Sequence, residues 1–111
     1  MNRTLQCLTS AIRNNRGFSV SATNAKTGRR GLRYSIEVWE KGVSVYQWDS
    51  LVIFIRRDDS MILNNCGYFT KTTKNLINAV LNLMRPGMEV TQVKGDWYLN
   101  GVGWDGNDKE V

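Results

Sequence analysis

The stretch "LRYSIEVWEKGVSVYQWDSLVIFI", Leu32 to Ile55, decides the fold. Every second residue from 32 to 38 is apolar, which is the period of a half-buried β-strand. The pair Lys41–Gly42 is typical of a tight turn, and the alternation that resumes in "VSVYQW" predicts a hairpin. After a break at Asp49–Ser50, the run "LVIFI" is apolar on both faces and indicates a central strand. These segments predict consecutive strands of a β-meander.

The segments on either side add two helices and further strands. Leu5, Leu8 and Ile12 form a helical stripe within residues 4–14, and "GFSVSA" then alternates as a strand. "MILNN" predicts a short strand, a helix begins near Thr72 and ends before Pro86, and "MEVTQV" with "DWYLNG" predicts a last hairpin. This order predicts an α+β fold, in which two helices pack on an antiparallel or mixed sheet of about five to seven strands. We expect a single domain over residues 1–100 and a flexible tail over residues 101–111, which are rich in glycine and charge.

The net charge of +5 is unevenly distributed along the chain. Residues 1–36, the basic N-terminal segment, contain seven basic residues and no acidic one. The remaining 75 residues hold eight basic residues and all ten acidic ones. Such asymmetry is typical of contact with nucleic acid or another anionic surface, and a solvated basic face explains it equally well.

Composition argues against several kinds of chemistry. The chain has no histidine, which removes the commonest general base and metal ligand and excludes Ser-His-Asp and Cys-His catalysis. Cys7 and Cys66 are predicted to be reduced residues in or near the core, and their separation does not form a zinc-binding pattern. Asp58–Asp59 follow Arg56–Arg57 directly, so that mutual neutralisation is expected. We therefore expect no enzyme, no metal and no cofactor.

The start of the second helix, "GYFTKTTKNLINAVL" (Gly67 to Leu81), combines hydroxyl and cationic residues. A hydroxyl of Thr70 or Thr72 can cap free backbone N–H groups there, which is worth about 1 kcal/mol. Lys71 and Lys74 lie in the first turn, where the helix dipole disfavours positive charge by roughly 0.3–1 kcal/mol. Ammonium groups beside free N–H groups can bind an anion, but exposed lysines at such a helix end are also common. A Walker A loop is excluded, because no second glycine precedes the lysine.

Several aromatic residues fall outside the main apolar pattern. Trp39, Tyr46 and Trp48 lie on the opposite faces of their strands from the valines. On a solvent-facing sheet near arginines such rings stack bases, whereas under a helix they form a second apolar face. Because two helices are available to cover the sheet, we expect most of these rings in the core. Of the neighbours Trp97 and Tyr98, one is expected to be exposed.

The second half of the chain resembles a group of small proteins of tailed bacteriophages. In that group a strand leads into a Gly-aromatic-x-Thr-x-Thr-Thr-Lys/Arg motif, then a helix with Ile/Met-Asn, then a hairpin that ends in Trp-Tyr. The matching residues are Gly67, Tyr68, Thr70, Thr72, Thr73, Lys74, Ile77, Asn78, Leu81, Trp97 and Tyr98. The resemblance covers roughly residues 61–99. Cys66 occupies a position where a second glycine is usual, so a wider loop is expected there.

The resemblance implies a phage setting and no established activity. Small phage proteins without a catalytic constellation are often host-takeover or anti-defence inhibitors that dock on a host protein or on a ribonucleoprotein such as a CRISPR effector. The alternative is direct binding of DNA or RNA through the basic N-terminal segment, and a structural virion component is a third hypothesis. The candidate residues for binding nucleic acid or a partner are Arg13, Arg16, Lys26, Arg29, Arg30, Arg33, Lys71 and Lys74.

The sequence predicts no membrane partner. The longest apolar run, "LVIFI", is far shorter than the roughly 20 residues that span a bilayer. The N-terminal residues lack an apolar block followed by a small-residue cleavage site. We therefore expect the protein in the host cell cytoplasm. Neither its oligomeric state nor its target follows from the sequence.

Overall fold

The computed structural model describes residues 2–24 and 26–111. In that part of the chain the elements are α1 (Arg3–Arg13), β1 (Phe18–Thr23), β2 (Arg30–Trp39), β3 (Gly42–Gln47), β4 (Ser50–Arg56), β5 (Met61–Leu63), α2 (Lys71–Met84), β6 (Val90–Val93), β7 (Asp96–Leu99), β8 (Val102–Gly103) and β9 (Lys109–Glu110). A six-stranded antiparallel sheet has the order β1-β2-β3-β4-β5-β9, and a three-stranded sheet has the order β6-β7-β8. The predicted α+β fold, with two helices on a largely antiparallel sheet, is confirmed.

Both helices pack on one face of the six-stranded sheet. Leu8 of α1 and Leu76 of α2 are fully buried in the same core as Ile53 of β4 and Leu63 of β5. The helices bury these side chains because each carries its apolar residues three or four positions apart, on a single face. The apolar stripe of α1 and the inward residues of the meander therefore form one continuous core.

The last hairpin forms its own sheet instead of extending the first one. The side chain of Asn78 in α2 binds the backbone of Val90 twice, donating to its carbonyl at 2.9 Å and accepting from its N–H at 2.7 Å. These bonds hold β6 against α2, and Trp97 of β7 is buried beside them in the core. The edge of β5 that the hairpin could have joined is paired with β9.

Residues 101–111, predicted to form a flexible tail, contribute two short strands and one buried side chain. Strand β8 pairs with β7, and β9 pairs with β5. Trp104 lies in the core, and its Nε1 donates to the carbonyl oxygen of Asn107 at 2.8 Å. The segment thus packs against both sheets, whereas its flexibility stays a prediction.

The second face of the six-stranded sheet is open. The side chains on it are those of Ser35, Glu37, Trp39, Ser44, Tyr46, Leu51, Phe54 and Ile62, which pair across neighbouring strands. Trp39 is 42% exposed and Leu51 is 41% exposed. The expectation that helices cover most of these rings is wrong for Trp39, because α1 and α2 both lie on the other face. Tyr46 and Trp48 are half-buried.

The two cysteines have different surroundings. Cys7 is exposed, contrary to the prediction of a core or near-core position, because it is rotated about 200° from Leu5 around the helix and lies just outside the buried face. Cys66 is half-buried, and its thiol donates to the carbonyl oxygen of Leu51 at 3.1 Å. Burial is the main cause that raises the pKa of the Cys66 thiol above its ordinary value.

Candidate nucleic-acid interface

The hairpin of β1 and β2 extends past the rest of the six-stranded sheet. Strand β2 begins at Arg30, but its pairing with β3 begins at Tyr34, which lies opposite Gln47. Residues 30–32 pair with residues 21–23 of β1 and run beyond the end of β3. At about 3.3 Å per residue, this two-stranded ribbon projects roughly 10 Å past β3. We call the ribbon and its turn, residues 21–24 and 26–33, the basic arm, and the end of the sheet that bears it the arm end.

Local hydrogen bonds define the turn of the basic arm. The backbone N–H of Asn24 donates to the carbonyl of Arg29 at 2.8 Å, and the N–H of Gly28 donates back to the carbonyl of Asn24 at 2.8 Å. The side-chain oxygen of Asn24 accepts from the N–H of Lys26 at 2.9 Å. Gly28 has a φ of +70°, which a residue with a Cβ adopts only at a cost. The turn is therefore ordered by backbone hydrogen bonds and the Asn24 side chain, and none of these bonds uses a cationic side chain.

The cationic side chains of the basic arm face solvent. Lys26, Arg29, Arg30 and Arg33 are all exposed. Arg30 reaches the hydroxyl of Thr23 at 3.5 Å, and the guanidinium carbon of Arg33 lies 5.5 Å from the ring centroid of Tyr34. Among residues 2–24 and 26–111, the one ion pair lies at the opposite end of the sheet. The arm therefore presents four positive charges that no carboxylate of the described chain neutralises.

The N-terminus of α2 is tied to the base of the basic arm. Thr70 is the N-cap, and its hydroxyl oxygen accepts from the N–H of Thr73 at 3.3 Å. The hydroxyl of Thr73 donates to the side-chain oxygen of Gln47 at 2.7 Å, and both side chains are buried. Gln47 pairs with Tyr34, the residue from which the arm extends. One buried hydrogen bond thus links the helix start to the arm.

This link brings two more cations to the arm end. Lys71 is exposed and Lys74 is half-buried in the first turn of α2. The arm end therefore gathers six of the eight predicted binding residues, with Asp49 as the carboxylate in the adjoining β3–β4 turn. The sequence did not reveal this proximity, because it depends on the Thr73–Gln47 contact across 26 residues.

Asn65 orders the loop that leads into α2. Its N–H donates to the carbonyl of Gly106 at 2.8 Å, and its side-chain oxygen accepts from the N–H of Gly67 at 2.9 Å. A Cβ at Gly106 would lie 2.4 Å from the amide of Asn65, so glycine is required for this approach. The sequence does not predict the contact between Asn65 and Gly106. Its only signals are the Asn64–Asn65 pair shortly before Gly67 and the distant Gly106.

Arg13 and Arg16 lie at the opposite end of the sheet, which we call the far end. They belong to the C-terminus of α1 and the loop after it, where the N–H of Arg16 donates to the carbonyl of Ala11 at 2.9 Å. Arg13 lines a cleft of about 310 Å³ together with Arg56 and Arg57. The structure therefore separates these two candidates from the six at the arm end.

The far-end arginines are engaged in structural contacts. Arg57 donates to the carbonyl oxygens of Trp39 and Glu40 and to the side-chain oxygen of Asn15. The Glu40 contact is 3.2 Å long, and the Asn15 contact is 3.5 Å long. Arg85 donates to the carbonyls of Asp59 and Val111. These guanidinium groups connect loops and the C-terminal residue, and their N–H donors are partly used in hydrogen bonds within the protein.

In the acidic turn beside these arginines, the described residues show no direct ion pair of Asp58 or Asp59 with Arg56 or Arg57, although the charge of Arg56 contributes to lowering the pKa of Asp58. Arg56 pairs with Glu110, with its Nη1 2.9 Å from the carboxylate, instead of with its sequence neighbours. Asp58 accepts from the hydroxyl of Ser60 at 2.6 Å and from its N–H at 3.0 Å. These two hydrogen bonds are the main cause that lowers the pKa of Asp58. The turn geometry favours Ser60 because it lies only two residues away.

The open sheet face holds an ordered indole. Trp39 Nε1 donates to the hydroxyl of Ser44 at 3.1 Å. The rings of Trp39 and Phe54 lie 6.1 Å apart between centroids and are tilted by 41°. The ammonium group of Lys41 lies 5.9 Å from the Trp39 ring centroid. This exposed ring is therefore held in one orientation beside a cation.

The small sheet bears a second aromatic surface. Phe69 is 45% exposed and meets the buried Trp97 edge-on, with ring centroids 5.5 Å apart, and Trp104 lies 5.8 Å from Trp97. These rings line a cleft of about 430 Å³ together with Asp96 and Asp105. The backbone N–H and side-chain amide of Asn107 donate to the carboxylate of Asp105 and hold its pKa below the ordinary value. This aromatic cleft is therefore anionic, in contrast to the basic arm.

The described residues contain neither a metal-binding cluster nor a membrane-spanning helix. Within residues 2–24 and 26–111, no group of three or more cysteine and carboxylate side chains is arranged to hold a metal ion. In the same part of the chain, no helix is long and apolar enough to cross a membrane.

The chain matches a known protein family. The sequence profile of the Kyanoviridae Gp96 protein matches residues 1–110. The match includes the basic arm, both helices and both sheets, and so extends well beyond the residues that carry the sequence motif near α2. No curated protein and no solved structure matches the chain.

Proposed function

The chain belongs to the Kyanoviridae Gp96 family of phage proteins, and on that premise we propose that it binds nucleic acid through its basic arm, without catalysing a reaction. The nucleic acid is DNA or RNA, either free or held in a host complex. Family membership confirms the phage setting that the sequence predicted. The absence of histidine from the chain supports a role in binding.

The observation that carries the proposal is the placement of unpaired cations on a projecting ribbon. Lys26, Arg29, Arg30 and Arg33 are exposed on an arm that extends past β3. Lys71 begins α2 two residues before Thr73, which bonds Gln47 at the end of β3. A projecting ribbon can follow a phosphate backbone without a clash between that backbone and the body of the domain. Each phosphate that a cation neutralises releases counterions, and this release favours binding.

The test compares charge reversal at the two ends of the sheet. Arg29→Glu/Arg30→Glu changes the arm, and Arg13→Glu/Arg16→Glu changes the far end, so both variants lose the same net charge. Binding of fluorescent DNA and RNA oligonucleotides is measured by anisotropy at 50 and 200 mM salt, concentrations chosen for the expected electrostatic slope. If about four phosphates are neutralised, the affinity of the wild type falls roughly 100-fold between them.

We expect the arm variant to lose at least about tenfold more affinity than the far-end variant at the lower salt concentration. Circular dichroism and thermal unfolding confirm that both variants are folded. The proposal fails if the wild type does not bind at the lower salt concentration. It also fails if the two variants lose equal affinity, since a general effect of net charge would then explain the binding.

A second candidate function is inhibition of a host protein or ribonucleoprotein, including an anti-defence role against a CRISPR effector. The observation that favours it is the aromatic cleft of Phe69, Trp97 and Trp104, which carries Asp96 and Asp105. Exposed aromatic anchors are enriched in protein interfaces, and the two carboxylates suit a cationic segment of a partner. Such a protein would contact a host complex through the cleft and its nucleic acid through the arm.

The second candidate is tested by capture from host lysate after nuclease treatment. A partner that docks in the cleft is retained without nucleic acid and is lost on Phe69→Ala. Arg29→Glu/Arg30→Glu is the matched control, because it changes the other surface and is expected to retain the partner. Loss of all captured proteins on nuclease treatment would contradict this candidate and leave the binding of nucleic acid as the proposal.

A further inference from the structure

We propose that the nucleic acid is single-stranded and that its bases stack on the open face of the six-stranded sheet, at Trp39 and Tyr46. This inference rests on the proposed function and deepens it by naming the form of the ligand. It uses a surface different from the basic arm, so that the arm and the open face can be tested independently.

The Trp39 ring on the open face is exposed and already ordered. Trp39 is 42% exposed, yet its indole is fixed by the bond to Ser44 and by contact with Phe54. A ring that is exposed and already ordered loses little conformational freedom when a base stacks on it. Stacking tolerates any base, because every base has a π-face. The Lys41 ammonium beside the ring can meet the phosphate of the same nucleotide.

The second argument is the continuity of this face with the basic arm. Tyr46 lies opposite Ser35 on β2, two residues from Arg33. Trp39 is four residues further along the same strand, roughly 13 Å away. A single strand that leaves the arm along β2 therefore passes Tyr46 first and Trp39 second.

The third argument is the charge distribution on the face. Cations lie at both ends of this path, at Arg33 and at Lys41. Glu37 lies between the two rings, opposite Ser44. A phosphate is disfavoured beside that carboxylate, so the backbone must turn outward there and the bases must face the sheet. This charge pattern favours a nucleic-acid strand that stacks its bases on the sheet. It disfavours a partner whose negative charges would contact the whole face, because Glu37 would repel them.

The single-stranded form follows from access to the bases. In a duplex the base faces are stacked on one another and cannot reach a protein ring without unpairing. An antiparallel sheet with aromatic rings on an open face reaches bases that are already unstacked. A duplex would be limited to phosphate contacts with the basic arm.

The experiment uses single-stranded DNA and RNA of about 12 nucleotides and a duplex of equal length. The variants are Trp39→Ala, Trp39→Phe and Phe69→Ala. Phe69 is the matched control, since it is an aromatic residue of similar exposure (45%) in the loop before α2, where its ring contacts Trp97 and not the open face. Binding is measured by anisotropy, and quenching of tryptophan fluorescence reports stacking directly. Thermal unfolding shows whether each variant is folded.

We expect the wild type to prefer single strands to duplex and Trp39→Ala to lose about tenfold in single-strand affinity. Trp39→Phe should recover part of the loss, and Phe69→Ala should bind as the wild type does. The salt dependence of Trp39→Ala should match that of the wild type, because no phosphate contact on the arm is removed. Fluorescence quenching should be smaller in Trp39→Phe than in the wild type.

Other outcomes overturn the inference in distinguishable ways. If Trp39→Ala binds single strands as the wild type does, while Arg29→Glu/Arg30→Glu still weakens binding, the inference fails and the proposed function stands. Equal affinity for duplex and single strand overturns the inference in the same way. If the wild type binds no nucleic acid at all, both fail. If Trp39→Ala loses only a captured host protein, the open face is a protein-docking surface and the inference fails.

Discussion

The two ends of the six-stranded sheet carry similar numbers of arginines and lysines but use them differently. At the far end, Arg57 and Arg85 donate to backbone carbonyls, and Arg56 pairs with Glu110. At the arm end, Arg29 and its neighbours are exposed on a ribbon whose turn is ordered by backbone hydrogen bonds and by the side chains of Asn24 and Thr27. The number of cations therefore does not distinguish the two ends, whereas the contacts that several of these cations make within the protein do so.

The contrast also explains why the basic N-terminal segment is not one surface. Arg13 and Arg16 fold to the far end because α1 runs along the sheet away from the arm. Lys71 and Lys74 lie 38 and 41 residues beyond the arm in sequence, and the bond between Thr73 and Gln47 holds their helix turn at the end of β3. A binding site that the charge pattern suggested along the chain is thus assembled differently in space.

The largest expected effect is a loss of stability, and it compares a glycine in each of the two hairpin turns. Gly42, at the far end, has a φ of +149°, and a Cβ there would lie 2.1 Å from the carbonyl oxygen of Ile55. Gly42→Ala should therefore destabilise the protein by about 4 kcal/mol or prevent folding. Gly28, in the arm turn, has a φ of +70° with nothing within 4 Å of a Cβ, so Gly28→Ala should cost only about 1 kcal/mol. Urea unfolding followed by circular dichroism measures both. Equal losses would mean that the arm turn is packed as tightly as the far-end turn.

The second prediction concerns the bond that joins α2 to the arm end. Thr73→Val keeps the shape of the side chain but leaves the buried oxygen of Gln47 without a donor, which should cost about 2 kcal/mol. Thr72→Val is the control, because Thr72 is half-buried and precedes it on the same helix. Thermal unfolding of both variants gives the difference. A loss of stability in Thr72→Val equal to that in Thr73→Val would show that valine disfavours this helix start and that the Gln47 bond contributes little.

The third prediction tests whether an arginine at the far end contributes to stability and an arginine on the arm contributes to nucleic-acid binding. Arg57→Ala removes the contacts with Trp39, Glu40 and Asn15 and should lower the free energy of unfolding by about 1 kcal/mol, a modest value because the side chain is exposed. Arg30→Ala should change it by less than about 0.5 kcal/mol and should weaken nucleic-acid binding instead. The comparison breaks if Arg30→Ala destabilises the protein as much as Arg57→Ala does.

Sequence patterns predicted the elements of the fold well, because local spacing carries that information. The alternation in residues 32–55 and the stripe of Leu5, Leu8 and Ile12 correspond to the observed strands and α1. The pairing of β9 with β5 and the separate sheet of the last hairpin were missed, since strands of two to four residues have no distinctive period. The exposure of Trp39 was also missed, because the sequence shows that a strand has two faces but not which face the helices cover.

The candidate site was predictable in its residue types and not in its arrangement. The eight cations were chosen by charge, and charge alone does not distinguish Arg16 at the far end from Arg30 on the arm. The arm itself follows from a mismatch in length between β2 and β3, which only the register reveals. The aromatic cleft depends on Trp104, whose segment was predicted to be a flexible tail.

The smallest expected effect is the most informative about Lys71, which is the first helical residue after the N-cap Thr70. Its charge opposes the helix dipole, so Lys71→Glu should raise the free energy of unfolding by about 0.5 kcal/mol. Lys94→Glu, in the β6–β7 turn, is the control with the same change of charge and no helix end, and it should leave stability unchanged. If Lys71 contacts phosphate at the base of the arm, Lys71→Glu should also weaken oligonucleotide binding more than Lys94→Glu does. A gain in stability together with a loss of binding would mean that Lys71 favours ligand binding although it destabilises the helix. A gain in stability with unchanged binding would instead restrict the interface to the arm.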